Sequence, residues 1–254
     1  MKKIAIVCAS VLFLVACQKN SVTTKATQHL EDVVLENKNK DAEVTARKRP
    51  KPIHPHQPTD TIQPPVIPPT TTDKTIIYLD FDGQIVSGTV WSSGTITCNS
   101  SGLTAAQQET VRSRVAADYA KVSPNIIVST SESEFYSYPI NKRMRVILCS
   151  NNWYNSNAGG VAYINSYTWG DDTPCFIFTG SYGYNVDNIS YAASHEPGHT
   201  FGCRHQSLWD AACIKTSEYR SGCIMGWGSE WAIGTSSLGC NTIQNDIEVI
   251  KTNL

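Results

Sequence analysis

The chain has 254 residues, with 21 basic against 22 acidic side chains, a formal net charge of −1 and 41% hydrophobic residues, so length alone allows one or two domains. The totals conceal a boundary: none of the 16 glycines precedes Gly83, no aromatic residue lies between Phe13 and Tyr78, and all six tryptophans follow position 90. Residues 74–254 carry 11 basic and 15 acidic side chains, a net of −4, which excludes a nucleic-acid reader that binds by releasing counterions.

Lys2 and Lys3 precede the apolar residues 4–15, the charge-then-hydrophobe order of an export signal and too short a stretch to span a bilayer. The stretch ends in Leu14-Val15-Ala16-Cys17, which resembles the lipobox of bacterial lipoproteins. That resemblance implies a signal peptide over residues 1–16 and acylation of Cys17, which would attach the protein to a membrane. Gln18 stands where an inner-membrane retention signal has Asp, so the expected residence is the outer membrane of the cell envelope; an ordinary secretory signal and a secreted product is the alternative. Residues 17–73 are polar, then proline-rich, with eight of the 12 prolines between Pro50 and Pro69. Lacking aromatic groups to bury, they read as a polyproline-biased tether. Within it a weak helical repeat at Leu30, Val33 and Val34 suggests a propeptide remnant, and His54 and His56 read as solvated spacers. The run Arg47-Lys48-Arg49 reads first as a solvated charge cluster, with contact to anionic lipid headgroups or a cut by a trypsin-like protease as the alternatives.

The remaining residues, 74–254, suffice for one well-buried domain. Residues 75–79 (TIIYL) are β-branched and aromatic and enter an acidic turn, so they read as the first strand. Thr104 and Gln107 have capping-box spacing, and Val111, Val115, Tyr119 and Val122 repeat at helical intervals until Pro124, predicting the first long helix. Strands are expected at 125–130, 144–149, 161–166 and 175–179. This pattern predicts an α/β sheet with an antiparallel edge. A second helix is expected from about Asn188, capped by Asp187 or Asn188, into residues 195–205; beyond Gly202 the periodicity is lost and Cys, Gly and Ser predominate.

Residues 195–205 read His-Glu-Pro-Gly-His-Thr-Phe-Gly-Cys-Arg-His. On a helix, His195 and His199 lie one turn apart on one face and can share an ion, with Glu196 beside them to act on water. Gly202 can take the left-handed conformation that ends a helix, which lets His205 swing round as a third nitrogen. Three neutral imidazoles suit zinc and leave a fourth position open. The other three histidines, His29, His54 and His56, all fall in the tether, so the domain keeps histidine only in this string.

The string His-Glu-x-x-His-x-x-Gly-x-x-His resembles the metzincin clan of zinc metallopeptidases, whose motif is followed by a methionine-bearing turn. Here Cys223-Ile224-Met225-Gly226 lies beyond His205, and the family's methionine carries over to Met225. Other stretches also look like bacterial relatives in the clan: "IIYLDFDGQIVSGTVW", "RVAADYAKVSPNIIVST", "GGVAYINSYTWGDDTPCFIF" and "NTIQNDIEVI". The resemblance implies an α+β catalytic domain with a mixed five-stranded sheet, two long helices and a small, irregular, disulfide-bridged lower subdomain. It also implies a cleft lined by an antiparallel edge strand, matched to residues 161–166, that would pair with an extended protein or peptide substrate. The activity implied is peptide-bond hydrolysis with one catalytic Zn²⁺ held by His195, His199 and His205, Glu196 as general base, and Met225 and Gly202 in structural roles.

Three features qualify this reading. Pro197 sits inside the expected active-site helix, where it removes a hydrogen bond and crowds the Ala193 carbonyl, at about 3 kcal/mol in an ordinary interior. Trp227 occupies the place where some metzincins carry a zinc-contacting tyrosine, so no such extra ligand is expected. No cysteine lies between Gln18 and Thr97, so an upstream thiol blocking the zinc is not expected. The seven cysteines from Cys98 to Cys240 should mostly oxidise in an exported protein, six of them in three bridges, and since four lie within or after the string, bridges should staple the irregular lower half, with Cys203 tying down the loop between Gly202 and His205. Asp80, Asp82, Asp171 and Asp172 could bind Ca²⁺, although turn chemistry is the preferred reading. The alternatives to an exported endopeptidase are a zinc-binding lipoprotein with impaired catalysis, and a narrow zinc hydrolase of glycoproteins or cell-wall peptides.

Overall fold

The computed structural model describes residues 73–254 and the backbone of one earlier strand, β1 (Glu31–Leu35). The signal, Cys17 and the rest of the tether, with His54, His56 and Arg47-Lys48-Arg49, lie outside the described residues.

The main sheet is built from β2 (Thr75–Asp80), β5 (Ile126–Ser129), β6 (Arg143–Cys149), β7 (Ala158–Tyr163) and β8 (Cys175–Phe178), with β3 (Gln84–Ser87) and β4 (Thr95–Cys98) forming a separate hairpin. Across the sheet the order is β7-β8-β6-β2-β5, all parallel except β7, which runs antiparallel to β8. It is the expected α+β architecture with a mixed five-stranded sheet. The central strands are buried on both faces, and their side chains alternate between layers. Ile77, Leu79, Val146, Leu148 and Ile177 face a core shared with α1 (Ala105–Ala120) and α3 (Val186–Thr200). Ile147, Phe176 and Phe178 face the hairpin together with Trp91 and Trp153, while Ile76 and Tyr78 pack on Phe135 of α2 (Glu132–Ser137).

Helix α1 begins as its sequence predicts. The Gln107 amide donates to Thr104 Oγ1 (3.3 Å) and the Thr104 amide to Gln107 Oε1 (2.9 Å), and Val111, Val115 and Tyr119 are buried. Helix α3 starts earlier than expected: the cap is Asn185, not Asp187 or Asn188, and its Oδ1 accepts from the Asn188 amide at 3.0 Å. Asp187 instead sits in the first turn, where a carboxylate complements the helix dipole, and pairs with Arg114 of α1.

The edge strand is also shifted, to Ala158–Tyr163 from the expected 161–166. Asn165 adopts φ 62°, which stops extended structure, and donates its amide to the His199 carbonyl at 3.1 Å. The end of β7 is thereby tied to the end of α3.

The weak helical repeat at Leu30, Val33 and Val34 is corrected: Glu31–Leu35 is a strand, paired parallel to β7 as a sixth member of the sheet. Five residues are too few for a stable isolated helix, whereas Val33-Val34 suits extended backbone beside an edge with unpaired hydrogen-bonding groups.

After Gly202 the chain makes short two-stranded ladders: β9 (Leu208–Trp209) with β10 (Lys215–Ser217), β11 (Ser221–Cys223) with β12 (Trp227–Glu230), and β13 (Ile233–Thr235) with β14 (Ile243–Asn245). Helix α4 (Asp246–Asn253) closes the domain. One disulfide, Cys213–Cys240, staples this region. The expectation of three bridges, including one through Cys203, is not met: Cys98, Cys149, Cys175, Cys203 and Cys223 are buried free thiols. Backbone carbonyls take up three of them, with Cys203 Sγ 3.6 Å from the Asp246 oxygen, Cys175 Sγ 3.9 Å from that of Arg145 and Cys223 Sγ 3.4 Å from that of Arg220. Among the described residues no helix is long and apolar enough to cross a membrane.

Candidate metal centre

Helix α3 runs unbroken through Pro197. The residue is buried where the helix packs on α1, β7 and β8, and that packing offsets the lost hydrogen bond. Tyr119 of α1 reinforces the same turn by donating its hydroxyl to the Ser194 carbonyl at 2.9 Å, and Ser194 Oγ donates to Asp118 Oδ2 at 2.8 Å. His195 and His199 therefore keep their one-turn spacing, with Nε2 atoms 2.9 Å apart.

Gly202 ends the helix as predicted. Its φ is +105°, its amide donates to the His199 carbonyl (2.8 Å), and the Cys203 amide reaches back to Gly198 (3.0 Å), a pair of bonds that defines a Schellman cap. An added Cβ there would lie 2.5 Å from Asn165 Oδ1, so glycine is required twice over. The turn delivers His205, whose ring centroid lies 5.3 Å from that of His195 and 4.8 Å from that of His199. All three rings are buried, and their candidate ligand atoms lie within 4.8 Å of one another, close enough to hold a metal ion.

The outer nitrogens fix how the rings face. His195 Nδ1 meets the Ile224 carbonyl at 2.5 Å, His199 Nδ1 the Cys203 carbonyl at 2.7 Å, and His205 Nδ1 the Glu218 carboxylate at 3.1 Å. With each Nδ1–H donated outward, each Nε2 keeps its lone pair for the centre, the tautomer a metal ligand needs. His205 Nε2 is buried with no hydrogen-bond partner among the described residues. Burial, and then the neighbouring His195 and His205, push the His199 pKa well below the usual imidazole range, which favours the neutral ligand form. The donor set thus fits a metal that takes nitrogen ligands.

Glu196 is fully buried and faces β7: a Cβ on Gly160 would lie 2.4 Å from its Oε1. Met225 is fully buried beneath the helix, and a Cβ on Gly198 would meet its Sδ at 2.6 Å. The turn carrying Met225 is held by the Gly226 amide on the Cys223 carbonyl (3.1 Å). It supports both sides of the cluster, because Ile224 orients His195 and the Met225 carbonyl accepts the Gln206 amide at 2.6 Å, one residue beyond His205.

Sequence reasoning therefore placed His195, Glu196, His199, Gly202, His205 and Met225, and the structure brings them together. It missed Glu218, Gly160 and Gly198, and noted Gln206 only as the residue that follows the third histidine. Gln206 is fully buried and donates to the Ala232 carbonyl (2.9 Å) and Asp246 Oδ1 (2.8 Å). Burial raises the pKa of Asp246, against the lowering effect of Gln206, Ala232 and Gln244. No spacing rule links Glu218 to His205 or Gly160 to Glu196; only the position of glycine within a strand hinted that something approaches there. Three of the four aspartates considered for Ca²⁺ have other partners. Asp172 pairs with Arg143 at 2.6 Å, Asp171 caps its own turn through the Thr173 amide (3.1 Å), and buried Asp80 lies 3.9 Å from Arg145 Nε.

Fold and site together define a mixed α/β domain with a buried three-histidine cluster able to hold a metal ion. No protein-family model matches the chain, and a search of curated proteins returns no significant match.

Proposed function

We propose that this chain is an exported, lipid-anchored zinc endopeptidase of the metzincin kind, hydrolysing proteins or peptides outside the cytoplasm. The observation that carries the reading is the outward tethering of three Nδ1 atoms, which leaves three Nε2 atoms converging one helical step from Glu196. Export and anchoring rest on residues 1–17 of the sequence.

His195, His199 and His205 would hold zinc, which when bound would supply Lewis acidity for a scissile carbonyl and would lower the pKa of water from about 9 in the aqueous ion toward roughly 7. Glu196 then has two tasks. It accepts the proton of the attacking water, and it returns that proton to the departing amine nitrogen. The dry surroundings of its carboxylate suit proton exchange, and Gly160 leaves the space in which the carboxylate sits. The unbroken helix at Pro197 argues against impaired catalysis, because the ligand spacing survives.

Casein digestion with metal analysis tests this. Glu196→Gln is expected to keep stoichiometric zinc while losing at least about 100-fold in turnover, the low end of what general-base catalysis contributes. A chelator abolishes cleavage in the wild type and zinc restores it. Undiminished turnover in the variant removes Glu196 from its role, and a folded domain without zinc removes the reading itself.

A further inference from the structure

The five buried, unbridged thiols fall into two kinds. Cys175, Cys203 and Cys223 each meet a backbone carbonyl. Cys98 and Cys149 instead share a hydrogen bond between their side chains. We propose that Cys98 and Cys149 are a disulfide-forming pair, whose oxidation fastens the β3–β4 hairpin to the central sheet as a second covalent staple of the domain.

Three features of the fold support this beyond the thiol contact itself. The first is alternation: β4 exposes Thr95 and Thr97 and buries Ile96 and Cys98, while Cys149 ends β6 in the layer the hairpin covers, with Ile147, Phe176 and Phe178. The second is the backbone around the pair. The Asn99 amide donates to Asn151 Oδ1 (2.8 Å), Asn151 Nδ2 to the Thr97 carbonyl (2.9 Å) and the Ser150 amide to the Asn99 carbonyl (3.4 Å). Two cysteines can be bridged only where the backbones that carry them run close, and these bonds fix that approach on both sides of Cys98. The third is need. Val86 and Ile96 are the other buried side chains of the two hairpin strands, and Ile85 is 55% exposed, so apolar burial holds the hairpin weakly. The loop closed from 98 to 149 is longer than the 27-residue separation of Cys213–Cys240, so closing it removes more freedom from the unfolded chain.

The bond forms by exchange with an external disulfide as oxidant. One cysteine thiolate attacks a sulfur of that disulfide and expels a thiolate; the other cysteine then attacks the mixed disulfide and expels the second. The two cysteine protons end on the two released thiols, and the two electrons lost by the pair reduce the oxidant. Burial, and then the contact with Cys98, push the Cys149 thiol far above its usual range, so the folded pair keeps its protons. Exchange therefore belongs to the stage before the hairpin docks. The same burial then shuts the finished bond away from reductants, in contrast to the exposed Cys213.

That the pair is oxidised in cells rests on the export reading, whereas its capacity to close does not, so the test separates the two. Full-length protein carrying Cys213→Ser and Cys240→Ser is refolded with and without oxidised glutathione. Each sample is alkylated in denaturant, digested and mapped by mass spectrometry. With the oxidant, Cys98 should be recovered bonded to Cys149, while Cys175, Cys203 and Cys223 carry the alkyl group. Amide hydrogen exchange in β3 and β4 should be at least about tenfold slower in the oxidised sample, with β6 and β8 protected in both, which verifies the fold. Alkylated Cys98 and Cys149 in the oxidised sample, or either one bonded to a different cysteine, overturns the proposal. So does equal hairpin exchange with the bond in place. A bond found after refolding but absent from protein recovered from its cells upholds the pair and counts against the export reading instead.

Discussion

Two halves of this domain meet at Gly202 and are held by different forces. Before it, apolar layers alternate across a sheet, and α1 and α3 cover one face with Val111, Val115, Tyr119, Ile189 and Ala193. After it, Leu208, Ile214, Ile233, Leu238 and Ile243 are exposed, so apolar burial is not what fixes their segments. That half is instead cross-linked by polar bonds: Gln206 to Ala232 and Asp246, the Arg220 amide to the Gln206 carbonyl (2.6 Å), the Ser237 amide to the His205 carbonyl (2.8 Å), and one disulfide. The three-histidine cluster draws two members from the first half and one from the second. A helix positions His195 and His199 by its period, whereas His205 depends on a network in which each bond is replaceable but the sum is not.

The sharpest way to break this contrast lies in the first half, where rigidity leaves no room for adjustment. Gly160→Ala is expected to lower casein turnover by at least about 100-fold by displacing the Glu196 carboxylate. Gly94→Ala, where the new methyl meets only Ser92 Oγ at 3.6 Å, should leave turnover unchanged. Equal rates for the two variants would break the link between β7 and the base.

In the second half the largest single loss should come from the disulfide. Cys213 and Cys240 are 27 residues apart, and replacing both by Ser is expected to lower stability by about 3 kcal/mol, measured by urea denaturation. The two halves also each hide a carboxylate whose pKa burial raises, Asp80 before Gly202 and Asp246 after it. Asp80 is pushed up to about 6, despite the opposing influence of Arg145. Because the folded state binds this proton more tightly than the unfolded chain, the group's contribution to stability falls as pH rises through the interval from about 4 to about 6. Comparing wild type with Asp80→Asn by denaturation, the difference should move in the variant's favour by up to roughly 3 kcal/mol between those pH values. A pH-independent difference would show that Arg145 keeps the carboxylate ionised. Smallest is the effect of Glu218→Ala, which frees the ring of His205 to turn. A loss of about 10–100-fold in zinc affinity is expected in competition with a chelator, with little change in thermal stability.

Legibility follows the same division. The helix cap at Thr104, the buried positions of α1 and the site string from His195 to His205 could be read directly, because local spacing carries them. Asn185 displaced the expected cap of α3, since a side chain one turn upstream could reach the first free amides. The five buried free cysteines could not be read, because cysteine number says nothing about which thiols the fold buries unbridged. Nor did the weak repeat at Leu30, Val33 and Val34 indicate a strand, because the partner that extends it, β7, lies more than a hundred residues away in sequence.

By itself the sequence determined which residues could gather nitrogen ligands, for a helical turn and a left-handed glycine are local properties of the chain. The tertiary structure alone decided which way each ring faces, what stands against Glu196, and which strand borders β7. Those depend on carbonyls and carboxylates that distant segments bring within hydrogen-bonding range, and no local pattern encodes that distance.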